Sequence, residues 1–252
     1  MLYSLGLVST KEPFQKLVHQ GMILGEDGEK MSKSRGNVVN PDDIIDRYGA
    51  DAMRLYEMFM GPLEAVKPWQ TQQISGVVRF QNRIFKLAAK TSAEATMDAH
   101  TERIMHLSIR KVTQDMDTLG FNTAISQLMV FSNHLQTLDR VPYEAMRALT
   151  LLLSPMAPHL CEEVWQQLDN ANSLAYEPWP VWIDELCEET SVTLAVQVNG
   201  KVKAQITLPK DANQELAREA ATAVPKVSTL IKDKEVNKII YVPGKIVNIV
   251  TQ

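Results

Sequence analysis

A multidomain chain is predicted, with an all-α helical bundle over residues 71–168 and a small α+β domain of ββαββ order over 191–252. Three observations predict it. Apolar residues recur at helical spacing through the first region, and alternate at strand spacing around Asn199-Gly200 and Pro243-Gly244 in the second. Between them, residues 169–190 form an acidic stretch containing Pro and Trp, after which the composition changes sharply.

Residues 1–24 carry Leu2, Leu5, Leu7 and Val8, then a Lys-Glu-Pro break at 11–13, then Phe14, Leu17 and Val18 at helical spacing. Met22-Ile23-Leu24 reads as a short strand. Asn40 is a good helix N-cap with Pro41 at the first helical position, and Asp42 and Asp43 complement the positive end of the helix dipole. Gly49 is expected to end that helix. A second helix runs from about residue 50 to 60, offering Met53, Leu55, Tyr56 and Phe59 for packing, and Gly61-Pro62 stops it.

In the bundle, Ile74, Val77, Val78, Ile84, Leu87 and Ala88 make the apolar stripe of the first helix. Further helices are predicted near 99–117, 121–137, 142–153 and 157–168, with Ser154-Pro155-Met156-Ala157-Pro158 separating the last two. Met129, Phe131, Leu149, Leu151, Leu152 and Leu153 are read as core. Arg79, Arg83, Lys86 and Lys90, spaced four, three and four, fall on one face opposite the stripe. Such a face can be merely solvated or can meet RNA. No acidic residue occurs between Trp69 and Ser92, whereas a solubilising face more often alternates Glu with Lys.

The acidic stretch places Trp179, Pro180 and Trp182 beside Asp184, Glu185, Glu188 and Glu189, and is read as a linker. Beyond it, strands at 192–198 and 201–208 flank Asn199-Gly200, a strong hairpin signal. Helices come next at about 213–224 and 227–232, and strands at 239–242 and 245–250 flank Pro243-Gly244. Lys201, Lys203 and Lys245 lie near these strands and turns.

A hydrophobic fraction of 45% over 252 residues places the chain among soluble globular proteins. No window approaches the roughly 18–20 apolar residues of a membrane span, and no basic region followed by an apolar run opens the chain. A cytoplasmic location without a membrane partner is expected. Cys161 and Cys187 show no Cys-x-x-Cys spacing, so neither a disulfide framework nor a metal site is expected, and both read as buried or idle thiols. The net charge of −4 is unevenly spread. Residues 191–252 hold nine Lys and Arg against five Asp and Glu, while 1–190 hold 17 against 25. A basic tail module on an acidic body concentrates phosphate contacts locally.

The densest chemistry lies at Glu29-Lys30-Met31-Ser32-Lys33-Ser34-Arg35-Gly36, where three cations and two hydroxyls sit among Gly25, Gly28 and Gly36. Glycines give a loop backbone freedom, and lysines can reach anionic oxygens as point charges. Composition alone leaves an ordinary charged turn open. The spelling is more specific. Lys-Met-Ser-Lys-Ser at 30–34 resembles the second signature of class I aminoacyl-tRNA synthetases, the loop that closes over the triphosphate of ATP while the amino acid is adenylated. The sequence at 35–45 and 48–56 is similar to the segment after that loop in the subfamily handling leucine, isoleucine, valine and methionine. Phe59-Met60-Gly61-Pro62, Lys67-Pro68-Trp69, the stretch at 156–163, Val196-Gln197-Val198-Asn199-Gly200-Lys201-Val202 and the stretch at 240–245 resemble the bacterial leucyl-tRNA synthetases. The resemblance covers essentially the whole chain.

The resemblance implies that 1–39 is the end of a Rossmann-type catalytic domain carrying the signature loop, and 40–70 a pair of connector (stem-contact) helices. It further implies an anticodon-binding-type bundle at 71–168, a linker at 169–190 and a C-terminal tRNA-binding domain at 191–252. It assigns ATP contacts to Lys30, Met31, Ser32, Lys33 and Ser34, with Lys30 and Lys33 catalytic. Among these, Met31, like the neighbouring Arg35, is read as more structural. Arg79, Arg83, Lys86, Lys90, Lys201, Lys203 and Lys245 become candidates for contact with the body, elbow and long variable arm of tRNA(Leu). ATP and Mg2+ are implied for the full-length enzyme, with none held tightly by this chain and no DNA partner.

The first signature of the class, a His-x-Gly-His-like element, is absent. None of His19, His100, His106, His134 and His159 has that setting, and His159, after a proline at a helix start, reads as a cap or core residue. The leucine pocket and the editing domain belong to the N-terminal catalytic and editing portion, the other implied partner. Without them the proximity contribution, up to about 7–11 kcal/mol, is lost, and the chain alone is expected to be inactive. Two alternatives stay open: a natural subunit of a split synthetase, and a non-catalytic interaction module with a relic loop.

Overall fold

Asn40 starts helix α1 (Pro41–Tyr48): its side chain accepts the Asp42 amide at 3.2 Å, and Pro41 occupies the first turn, where no amide donor is needed. Gly49, at φ 89°, ends α1 and lets α2 (Ala50–Phe59) begin at once. The computed structural model describes residues 1–12, 14–188, 191–232 and 236–252, in two compact units, Met1–Ile183 and Asp184–Gln252.

In the first unit, strand β1 (Ile23–Leu24) pairs in parallel with β2 (Lys67–Pro68), closing the chain around α1 and α2. The bundle comprises α3 (Ile74–Ala88), α4 (Ala99–Asp117), α5 (Phe121–Gln136), α6 (Tyr143–Leu153) and α7 (Pro158–Gln167). The last four agree with the predicted spans to within a residue at each end. The short parallel pair β3 (Thr91–Ser92) and β4 (Val141–Pro142) ties the end of α3 to the start of α6. Ile74, Val77, Phe80, Ile84 and Leu87 of α3 are essentially inaccessible, as are Leu128, Phe131, Leu149 and Leu152. Phe80 rather than Val78 completes the stripe, and Met129 is only half-buried. Burying side chains of this size contributes about 1.5–3 kcal/mol each relative to exposure, which is why the bundle, rather than local propensity, holds the helices.

The helix expected around residues 14–18 does not form. Phe14 and Leu17 are 85% and 79% exposed, so no packed face exists to offset the cost of nucleating so short a helix. The break at 11–13 ends on Pro13, which lies outside the described residues. The predicted linker also divides. Residues 169–183 pack on the bundle: Trp179 Nε1 donates to Thr113 Oγ1 at 2.8 Å, Ile183 N donates to His106 Nδ1 at 3.1 Å, and Trp182 packs against the core. The remainder includes the short helix α8 (Asp184–Cys187), while Glu189 and Thr190 lie outside the described residues.

In the second unit, β5 (Ser191–Val198), β6 (Lys201–Pro209), β7 (Val236–Val242) and β8 (Ile246–Thr251) form one sheet in the order β6-β5-β8-β7. Antiparallel hairpins flank a central parallel pair, β5 with β8, and α9 (Gln214–Ala223) and α10 (Pro225–Ile231) make the crossover. Leu194, Val196, Val198, Leu208, Val247 and Ile249 join Ala217, Ala221 and Val227 in its core. Asn199 (φ 50°) and Gly200 (φ 78°) make the turn, which Asn248 and Thr251 brace by hydrogen bonds of 2.9–3.2 Å.

Candidate functional site

The signature loop leaves β1 at Gly25 and returns at Asn37, and its inside is filled by hydrogen bonds. Gly25 N donates to Glu29 O at 2.8 Å and Gly28 N to Gly25 O at 3.0 Å, a tight turn that Gly28 permits at φ 75°. A Cβ on Gly25 would stand 2.7 Å from Asp27 Oδ1 and 2.9 Å from Asn37 Nδ2, so any larger residue there would displace these two side chains. Asn37 Oδ1 accepts Ser32 N at 2.9 Å. Its Nδ2 donates to both Asp27 carboxylate oxygens at 3.1 Å and to Lys30 O at 3.3 Å. The Asn37 amide holds the Asp27 carboxyl below the usual carboxylate range.

The loop tip is a single helical turn, with Arg35 N and Gly36 N donating to Ser32 O at 3.2 Å and Gly36 at φ 69°. Ser32 Oγ and Ser34 Oγ lie 3.3 Å apart, and Arg35 pairs with Glu29 at 3.5 Å. Lys30 and Lys33 are exposed and form no ion pair among the described residues. Two cations thus stand free on a hydrogen-bonded base. Met31 packs on the bundle-side core instead, and Arg35 braces Glu29.

The loop base is also anchored outward. Glu26 accepts Thr71 N at 3.0 Å, and the Thr71 hydrogen bonds hold its carboxyl below the usual range. Trp69 N donates to Leu24 O at 2.9 Å, while its indole donates to Thr71 Oγ1 and meets Tyr56 edge-on at 4.9 Å. The loop base, at Leu24 and Glu26, is therefore joined to α2 through Trp69, Thr71 and Tyr56.

The four cations of α3 do not form one free face. Arg79 and Lys86 are exposed, but Arg83 turns onto α5, donating to Ser132 Oγ at 3.3 Å and to the Asn133 carboxamide. Lys90 lies past the helix end and donates to Leu138 O at 3.4 Å. Arg79 and Arg83 border a groove of about 440 Å³ with an apolar floor of Phe59, Met60, Phe80 and Met129. In the second unit Lys201 and Lys245 are exposed at the two hairpin turns, and Lys203 is half-buried. The register passes from Gln197–Val202 to Val196–Ala204, which leaves Lys203 as the extra residue of a β-bulge.

His159 is neither core nor the cap itself. Its side chain is 77% exposed, and its Nδ1 donates to Asp51 Oδ1 at 2.9 Å. Asp51, from α2, does the capping, and sequence reading missed it because no spacing rule links residues so far apart. Asn37 was missed for a different reason: it comes directly after the motif, yet no pattern shows that its carboxamide folds back. Among the described residues no group of three His, Cys, Asp or Glu side chains could hold a metal, and no helix is long and apolar enough to cross a membrane. Both cysteines are buried, and burial pushes the Cys161 thiol up.

Comparison with known proteins fits this layout. Residues 1–67 match the family model of class I tRNA synthetases (I, L, M and V), and residues 98–218 match that of the anticodon-binding domain of tRNA ligase. Over 99% of its length the chain is 56% identical to a leucine–tRNA ligase of Sorangium cellulosum. It matches the C-terminal portion of a class I leucine–tRNA ligase. The chain spans 29% of that ligase. A solved structure similar to all of it, with a TM-score of 0.68 and 31% identity, is the LeuRS–tRNA–LeuAMS ternary complex of Agrobacterium radiobacter, of whose matching chain it covers 35%. The matches are to a class I synthetase catalytic end and an anticodon-binding domain, in a chain with helices and a small sheet, and neither the split-subunit nor the interaction-module alternative is favoured.

Proposed function

We propose that this chain supplies, to a leucine–tRNA ligase, the loop that closes on the triphosphate of ATP and the modules that hold tRNA(Leu). The observation that carries the first half is the pair of exposed lysines, Lys30 and Lys33, without ion pairs among the described residues on a braced loop. Adenylation builds negative charge on the departing pyrophosphate, and cations closing on it lower the barrier. Lys33 is read as the main phosphate contact, Lys30 as its assistant, and Ser32 and Ser34 as hydrogen-bonding residues that shape the tip. Met31 supports the loop from its packed position. ATP fits this arrangement as a phosphate chain between lysines. Mg2+ is read as arriving with the nucleotide, where it would neutralise phosphate charge.

On this reading 1–39 is the catalytic end, 40–70 the connector, 71–168 the bundle and 191–252 the C-terminal RNA-binding domain, with the N-terminal catalytic and editing portion as partner and no DNA. Exposed Arg79, Lys86, Lys201 and Lys245 are the stronger tRNA candidates, supported by their solvent access. Arg83 and Lys90 also donate hydrogen bonds within the fold, and Lys203 is half-buried at the β-bulge. A tRNA-bound structural relative supports the same reading. Titration of the chain with leucine tRNA and with a tRNA lacking a long variable arm, at low and moderate salt, tests it. Salt-sensitive preference for the leucine tRNA is the expected result; equal or absent binding counts against it.

A further inference from the structure

The loop's two cations owe their placement to one amide that carries no charge itself. Asn37 bonds to both limbs of the loop, to Asp27 on the outgoing limb and to Lys30 O and Ser32 N on the limb bearing the lysines. Asp27 is committed in turn, accepting Glu29 N at 3.1 Å besides the Asn37 amide. Gly25 packs so closely on this pair that a Cβ there would push the Asp27 and Asn37 side chains out of place. The carboxylate makes the central hydrogen bonds charge-assisted. Beyond Ser32, the tip is held by one helical turn, the Ser32–Ser34 hydroxyl contact and the Arg35–Glu29 ion pair.

We infer that Asn37 and Asp27 are a positioning pair, which sets the orientation of Lys30 and Lys33 for the leaving phosphates without touching them. The inference rests on the reading of this loop as the triphosphate loop. Without the clamp, the glycines at 25, 28 and 36 leave the lysine-bearing limb many conformations, and ordering it again subtracts from transition-state stabilisation. The loss therefore falls on kcat of adenylation, and not on tRNA affinity.

The test uses the full-length ligase with these residues as its C-terminal portion, reading leucine-dependent ATP–pyrophosphate exchange, tRNA(Leu) affinity and Tm. Variants are Lys33→Ala, Asn37→Ala, Asn37→Asp, Asp27→Asn and the double Asp27→Asn with Asn37→Asp. Asn37→Ala and Asn37→Asp are each expected to lower kcat about tenfold or more, with tRNA affinity unchanged. The double variant is expected to recover part of that loss, because an amide at 27 then donates to a carboxylate at 37, which still accepts Ser32 N, while the bond to Lys30 O is not remade. A purely structural role predicts instead that Tm, tRNA affinity and exchange fall together and that the swap restores nothing. Normal exchange in both Asn37 variants, or no recovery in the double, overturns the inference. If Asn37→Ala does not fold, the double variant alone decides. If Lys33→Ala keeps full exchange, the triphosphate-loop reading itself fails, and this inference with it. In the 252-residue chain, Asn37→Ala is also expected to speed hydrogen exchange at the Ser32 amide; unchanged protection there overturns the clamp directly.

Discussion

The Asp51 carboxylate on α2 accepts the backbone amide of Leu160 at 2.7 Å, so one helix caps the N-terminus of another 109 residues away. His159 adds its Nδ1 at 2.9 Å, and one turn on, Arg54 donates to Pro155 O at 2.8 Å and Met156 O at 3.3 Å. Both ends of the 154–158 turn are thereby joined to the helix that carries the loop base, because α2 also presents Tyr56 to Gln70 and Trp69. A chain of hydrogen bonds and ring contacts thus runs from α7 through α2 to the base of the signature loop.

Removing that cap leaves a buried amide unsatisfied. Asp51→Ala is expected to cost about 1–3 kcal/mol. For a unit of this size that lowers Tm by about 2–4 °C per kcal/mol, and thermal denaturation of the chain checks it. His159→Ala, which removes a mostly exposed partner, is expected to cost clearly less.

Lys33 sits free on a loop that owes its fold to other side chains. Lys33→Ala is expected to reduce adenylate formation by the full-length enzyme about 100- to 1,000-fold and leave tRNA binding nearly unchanged. Pyrophosphate exchange and a tRNA titration, run side by side, check this; equal loss of both means the loop has another role.

Arg83 and Lys86 are neighbours in sequence with different duties. Lys86→Ala is expected to leave Tm unchanged and to lower the salt slope of tRNA binding by about one unit, as for one phosphate contact. Arg83→Ala is expected to lower Tm, because it leaves Ser132 and Asn133 of α5 without their donor. Denaturation and a salt-dependent binding series separate the two.

His106 accepts the Ile183 amide through Nδ1, which requires the neutral ring, and burial pushes its pKa down. His134 shifts the same way, first through burial and then through His100. A histidine held neutral in the folded state binds fewer protons there than when unfolded. Stability is therefore expected to be full above about pH 6.5, the ordinary imidazole value, and to fall as pH drops through that value toward the folded-state values. Tm measured between pH 5 and 8 checks the slope, which His106→Leu is expected to reduce.

The amino-acid order was enough to specify the helices of the bundle, the two hairpins of the C-terminal unit and the location of the lysine loop. These rest on local physics: apolar periodicity, the Asn40-Pro41 cap, the φ > 0 turn at Asn199-Gly200, and a contiguous motif. Which cations stay free was settled only by packing. Arg79 and Lys86 face solvent while Arg83 and Lys90 are drawn to α5 and Leu138, partners 48–50 residues away that no spacing on α3 reveals. Packing likewise left Phe14 and Leu17 without a helix, attached Trp179 to Thr113 where a free linker was expected, and brought Asp51 to Leu160. A local pattern specifies what a segment can form, but hydrogen-bond partners distant in sequence exist only once the core has brought their elements together.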